Sequence, residues 1–222
     1  MEFVRNLESV SKHESDVFLY YNDILHLFSD ILGGDYQVTD KDELLFRPHG
    51  KNKAKLKLTM DESSSSVRSL LDIGFYLKHI ASIGDLLMID EPEMNLHPNN
   101  QRKMARLLAS LINCGLRVFI TTHSDYILRE LNNLILLNGN SPHLQELMER
   151  ERYVNDELIK PSDIQIYNAG EDYTLPPGRQ RKVKAETLTQ VPVDDKNGIV
   201  SSCFDDTIND MNRITDEIIY GG

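Results

Sequence analysis

Two adjacent carboxylates, Asp90 and Glu91, follow the apolar run Leu86-Leu87-Met88-Ile89 and stand directly before Pro92. A second apolar run, "LRVFITTHS", delivers Thr122 and His123. An acid pair and an imidazole at strand ends suit phosphate chemistry. Asp90 has the character of a magnesium ligand, acting largely through the ion's waters. Glu91, one residue further, can polarise a water for attack on a terminal phosphate. His123 can hydrogen-bond that phosphate or the attacking water. The same residue types, with Glu93 and His97 added, could instead build a one- or two-metal nuclease site.

Upstream, Ser63, Ser64, Ser65 and Ser66 open a helical stretch, with Arg68 in its first turn or two. A helix start offers unpaired N–H groups and a positive dipole end, which together favour an anion. A plain N-cap with extra serines is the competing explanation from the local sequence.

The elements that must hold these groups follow from periodicity. Residues 16–32 carry apolar positions at helical spacing and stop at Gly33-Gly34. "ELLF" and "KAKLKLTM" predict short strands around the turn "RPHGKN". In this region Lys51, Lys53, Lys55 and Lys57 alternate and so share one face, either as a solvated face or as a phosphate or DNA contact. A helix over "VRSLLDIGFYLKHIASIG" precedes the strand 85–90, and another from about Asn99 to Asn113 follows it. The strand before His123 comes next, then a helix over "DYILRELNNL", with "LILL" a candidate strand. Strands alternating with helices, and nearly continuous in apolar residues, predict an α/β fold with a largely parallel sheet flanked by helices. Residues 140–161 are polar and helical in character, and 162–200 predict short strands and turns, with the basic run "GRQRKVK" as an exposed loop. An amphipathic helix is predicted at the end, with Phe204, Ile208, Met211, Ile214 and Ile218 on one face. Domain boundaries are expected at 1–60, 61–140 and 141–222.

Composition narrows the class. The 222 residues are 40% hydrophobic, enough for one sizeable core, and carry a formal net charge of −11. That balance argues against a generally electrostatic nucleic-acid binder without excluding a local basic patch. Two cysteines are too few for a disulfide framework. No apolar run approaches the roughly 20 residues needed to span a bilayer, and the start is too polar for a signal peptide. The expectation is a cytoplasmic protein with no membrane partner.

The order of these pieces resembles the C-terminal half of an ABC-type ATPase head of the P-loop NTPase fold. "SSSSVRSL" stands where that superfamily has its signature motif, "LLMIDEP" looks like its Walker B strand, "MNLHP" like its D-loop and "TTHS" like its switch histidine. The resemblance spans about 63–137 and is nearest to the soluble SMC-, RecF- and OLD-like branch, with the related AAA family ATPases of bacterial anti-phage defence. It implies ATP and Mg2+ as cofactors, Asp90 on the metal, Glu91 as catalytic base and His123 as γ-phosphate switch. It implies that Ser64 reaches a nucleotide held by the opposite protomer, and that Asn95 and His97 run along the interface of a homodimer. Phage defence or DNA maintenance is the implied process, with an effector protein or DNA as candidate partners.

Two departures stand out. The usual signature glycines fall at Ser65 and Ser66, so the backbone there approaches phosphate less freely. No G-x-x-x-x-G-K-[ST] occurs; the only Gly-Lys pair, Gly50-Lys51, is followed by Asn52. About sixty residues precede the serine run, fewer than the family's N-terminal lobe needs. The resemblance therefore implies a head lacking its P-loop lobe and incompetent without one. A degenerate, non-catalytic module for dimerisation or effector binding is the alternative.

Overall fold

The structure, a computed structural model, describes residues 10–39, 43–51, 56–139, 141–174, 181, 183–200, 213–214 and 216–218. The chain divides into two units, one of residues 1–131 with 153–158, the other of residues 132–152 with 159–222.

The first unit opens with helices α1 (Asp16–Tyr20) and α2 (Asn22–Leu32), the latter closed by Gly33 in the left-handed conformation at φ 69°. The periodicity predicts one helix here. The break falls at Tyr21 (φ −134°, ψ 52°). Tertiary bonds override the local pattern: the N–H groups of Ser15 and Asp16 donate to the carbonyls of Lys78 and Ala81, fastening the start of α1 elsewhere. A three-stranded antiparallel sheet follows, β1 (Gly34–Val38), β2 (Leu44–Pro48) and β3 (Leu58–Thr59). Strand β1 is not legible in the sequence, and the lysine alternation falls partly outside the described residues; Lys51 and Lys57 are exposed. The long helix expected after the serine run is two helices, α3 (Ser65–Ser69) and α4 (Leu71–His79), separated at the buried Leu70. Gly74 brings α4 close to α2 and β1, since a Cβ there would lie 2.7 Å from the Phe28 ring and 2.8 Å from that of Tyr36.

Strand β4 (Leu86–Asp90), helix α5 (Pro98–Asn113) and strand β5 (Arg117–Thr121) form a β–α–β unit, the strands parallel and in register from Leu86↔Arg117 to Asp90↔Thr121. Helix α5 buries Met104, Leu107, Leu108 and Leu111, one face at helical spacing. Leu87, Ile89, Val118 and Ile120 pack one face of the strand pair against this core. The opposite face carries Leu86, Met88 and Phe119, which are 52%, 65% and 54% exposed. The α/β architecture with a helix-covered parallel pair is as expected, but cover on both faces, which continuous apolar strands suggest, is found on one face among the described residues.

After β5, helix α6 (Asp125–Leu136) contributes the buried Glu130, whose two oxygens accept from Arg102 Nε at 2.8 Å and Arg106 Nε at 2.9 Å. The segment 153–158 returns to this unit. Arg106 stacks on the Tyr153 ring at 3.8 Å, and Asn113 Nδ2 donates to the carbonyls of Asp156 and Leu158 at 2.7 and 2.8 Å.

In the second unit, the "LILL" stretch is the end of α6 and the residue beyond it, not a strand. A short run of Leu and Ile reads as either element by periodicity, and here it continues an established helix. Helix α7 (Pro142–Glu151) is capped by Ser141. Strands β6 (Ile166–Thr174) and β7 (Val183–Val191) pair antiparallel over nine residues each, longer than expected, and β8 (Val193–Asp194) pairs with β9 (Gly198–Ile199). The predicted C-terminal helix lies largely outside the described residues, as does most of the basic run 178–184; residues 213–214 and 216–218 are helical. Among the described residues, no helix is long and apolar enough to cross a membrane.

Candidate functional site

Parallel strands collect the residues at their carboxyl ends on one rim. Here β4 and β5 end side by side at Asp90 and Thr121. The Thr121 hydroxyl donates to Asp90 Oδ1, orienting that carboxylate. The ladder runs one residue further, because the Glu91 N–H donates to the Thr121 carbonyl at 3.0 Å. Glu91 then takes a left-handed backbone, φ 48°. That conformation is costly for a long side chain and is held only where the surroundings impose it. It carries the Glu91 carboxylate to 3.7 Å from His123 Nε2. The separation exceeds a hydrogen bond and leaves both groups available to a third. The imidazole is 88% exposed and the Glu91 side chain 36%.

The turn after β4 is fixed from within and from across the rim. Met94 N–H donates to the Glu91 carbonyl, Leu96 N–H to that of Glu93, and Leu96 itself is buried. Asn95 is left-handed at φ 63°, a conformation its short amide side chain tolerates well. His97 caps α5, its Nδ1 accepting from the Asn99 N–H at 3.4 Å, and Pro98 begins the helix where its missing N–H costs nothing. Ser124 caps α6 from the other loop, its Oγ accepting from the Ile127 N–H at 3.2 Å and donating to Gln101 Oε1 at 2.5 Å.

The serine run divides. Ser63 is buried, and its hydroxyl donates to the Thr59 carbonyl at 2.8 Å. Ser64 is the N-cap of α3, accepting from Val67 N–H, and pairs with the Ser66 hydroxyl at 2.8 Å. Ser65 is exposed. Arg68 folds back on the preceding turn, donating to the carbonyls of Ser63 and Met60. Among the described residues, no hydrogen bond joins this run to Asp90, Glu91 or His123. Asp90, Glu91 and His123 are brought together; Ser63 to Ser66, Arg68, Asn95 and His97 sit in flanking turns and caps.

Asp90 and Glu91 fit a magnesium ion held mainly by water and nucleotide phosphates, which asks one or two carboxylates of the protein. A nuclease site asks for more ligands. Among the described residues no group of three or more His, Cys, Asp or Glu is placed to hold a metal, so Asp90, Glu91, Glu93, His97 and His123 do not form that cluster. A cavity of about 380 Å³, lined in part by Phe28, Ser29, Tyr36, Gln37 and Phe75, contains none of the rim residues.

Sequence reasoning missed Thr121, Gln101 and Ser124. Thr121 meets Asp90 across 31 residues and Gln101 meets Ser124 across 23, and only the Ser124 position before a helix gave a local sign.

No curated protein matches the sequence. A solved chain from work on ATP-driven dimerisation and DNA-stimulated activation of SMC ATPases is similar at 12% identity and a TM-score of 0.45, with 96% of each chain covered. The AAA ATPase domain family matches residues 4–128, a span that contains the serine run, both rim strands, the carboxylate pair and His123. With more than half of its length in that match, the chain belongs to the AAA ATPase domain family.

Proposed function

We propose that this chain supplies the catalytic rim of an ATP-hydrolysing head, with the phosphate-cradling loop provided by a P-loop lobe outside this sequence. The observation that supports it is the approach of Glu91 and His123, 3.7 Å apart beside Asp90 just past the ends of two adjacent parallel strands. Asp90 takes the metal. Glu91 accepts a proton from the attacking water, and His123 hydrogen-bonds the terminal phosphate or that water. Magnesium, when bound with the nucleotide, neutralises charge developing on the phosphates. Two such heads would sandwich ATP, each offering Ser64 to the other's nucleotide, in phage defence or DNA maintenance.

The P-loop supplies most contacts to the phosphates, so the chain alone should bind ATP weakly or not at all. Hydrolysis should appear on complementation with a P-loop lobe and should be lost on Glu91→Gln. Micromolar or tighter ATP binding by the chain alone would remove the need for a second lobe. Turnover indifferent to Glu91→Gln would remove Glu91 as the base. A non-catalytic dimerisation or effector-binding module is the second reading, favoured by the exposed apolar face of Leu86, Met88 and Phe119.

A further inference from the structure

We infer that Glu93 is a positioning residue, which fixes His123 opposite Glu91 by clamping the Thr122 hydroxyl and the His123 main-chain N–H. One oxygen of its carboxylate, Oε1, accepts from the Thr122 hydroxyl and from the His123 N–H, each at 2.8 Å. The other, Oε2, is buried without a partner among the described residues. Bonds to a charged acceptor are the stronger kind. An unpaired buried oxygen is a cost, tolerated here where the side chain reaches both donors across the rim.

The clamp belongs to a closed circuit. Thr122 Oγ1, donating to Glu93, accepts from the Ser124 N–H at 3.0 Å. Ser124 Oγ donates to Gln101 Oε1, Gln101 Nε2 donates to the Leu96 carbonyl at 2.9 Å, and the Leu96 N–H returns to the Glu93 carbonyl at 2.9 Å. The loops after β4 and β5 are thus tied as one piece. His123 has an anchored root and an exposed imidazole, the arrangement a group needs if it is to meet an incoming phosphate without losing its register to the base. Glu93 itself is not placed as base or metal ligand. Its bonded oxygen is committed to two donors, and its other oxygen is shielded from solvent.

The catalytic consequence rests on the ATPase reading above; the clamp does not. The test uses Glu93→Ala, Glu93→Asp and Glu93→Gln in the full chain. Glutamine keeps the reach and the acceptor without the charge, whereas aspartate keeps the charge without the reach. His123 amide hydrogen exchange, followed by NMR, should speed up about tenfold in the alanine and aspartate variants and stay near the parent rate in the glutamine variant. In the complemented assembly kcat should fall about tenfold for alanine and aspartate, with KM unchanged and glutamine restoring the rate. Thr122→Val removes one donor and serves if the alanine variant folds poorly; it too should speed His123 exchange. Unchanged exchange in every variant overturns the clamp. Rescue by aspartate and not by glutamine overturns it as well, because Glu93 would then act through its charge. If Glu91→Gln leaves turnover unaltered while His123 exchange still answers to Glu93, the clamp stands and the ATPase reading falls.

Discussion

Arg106 meets Glu130 inside the first unit, its Nε donating to Oε1 at 2.9 Å while the Glu130 side chain is only 1% exposed. Arg102 holds the other oxygen at 2.8 Å but is itself 47% exposed. Helices α5 and α6 are therefore joined by a buried carboxylate whose ion-pair partners among the described residues are these two arginines. Removing one partner of a buried pair costs far more than the pair contributes. Glu130→Ala should destabilise the fold by about 3 kcal/mol, the low end of that range because Arg102 can rehydrate. Glu130→Gln, which keeps an acceptor, should cost less. Urea unfolding midpoints give both numbers.

The left-handed backbone of Glu91 predicts a conflict between stability and activity. Asn tolerates this conformation better than Glu. Glu91→Asn should raise stability by about 0.5–1 kcal/mol while abolishing the proposed ATP turnover. A thermal melt beside a phosphate-release assay on the complemented assembly measures the two effects. A fall in stability would show that Glu91 is held by contacts worth more than the strain.

Glu157 supplies a pH test. Burial pushes its carboxyl above the ordinary value of 4.5, and the nearby Arg106 only partly opposes this. A raised folded value means that its contribution is fully present below about pH 4.5 and is lost as pH rises through the folded value. Glu157→Gln stays neutral and can keep the acceptor for the Val154 N–H, now 3.3 Å away. Its stability gain over the parent chain should therefore be larger at neutral pH than in acid, as read from urea midpoints across that window.

Met88 and Phe119 are exposed on the outer face of the β4–β5 pair. Replacing both with threonine introduces β-branched residues that suit a strand and removes exposed apolar surface. Folding stability should change by less than about 0.5 kcal/mol each, as at other exposed sites. Self-association at high concentration, followed by light scattering, should fall, and so should productive complementation by a P-loop lobe. A large loss of stability would mean that this face is packed within the chain itself.

The carboxylate pair and the histidine were legible because apolar runs of strand length stop at residues that cannot continue them, and parallel strands gather such ends on one rim. Helix α5 was legible for similar reasons, with His97-Pro98 before it and Gly115 after it. The breaks at Tyr21 and Leu70 were not, since distant backbone bonds and burial decided them against an unbroken local periodicity. Nor was the cover of β4 and β5 on one face among the described residues, because a run such as Leu-Leu-Met-Ile looks the same whether one face is packed or two. Thr121 and Gln101 were silent for a third reason. Each is an ordinary polar residue that matters through a partner far away in sequence.

The return of residues 153–158 to the first unit limits how this protein can be dissected. A fragment cut after Leu131 would strip Arg106 of its stacked tyrosine and the Asn113 side chain of both carbonyl acceptors. A shortened version of this unit must therefore run through Leu158, carrying α7 along as an insertion. A protease nick within 132–152 should leave the two pieces held together until denaturant separates them.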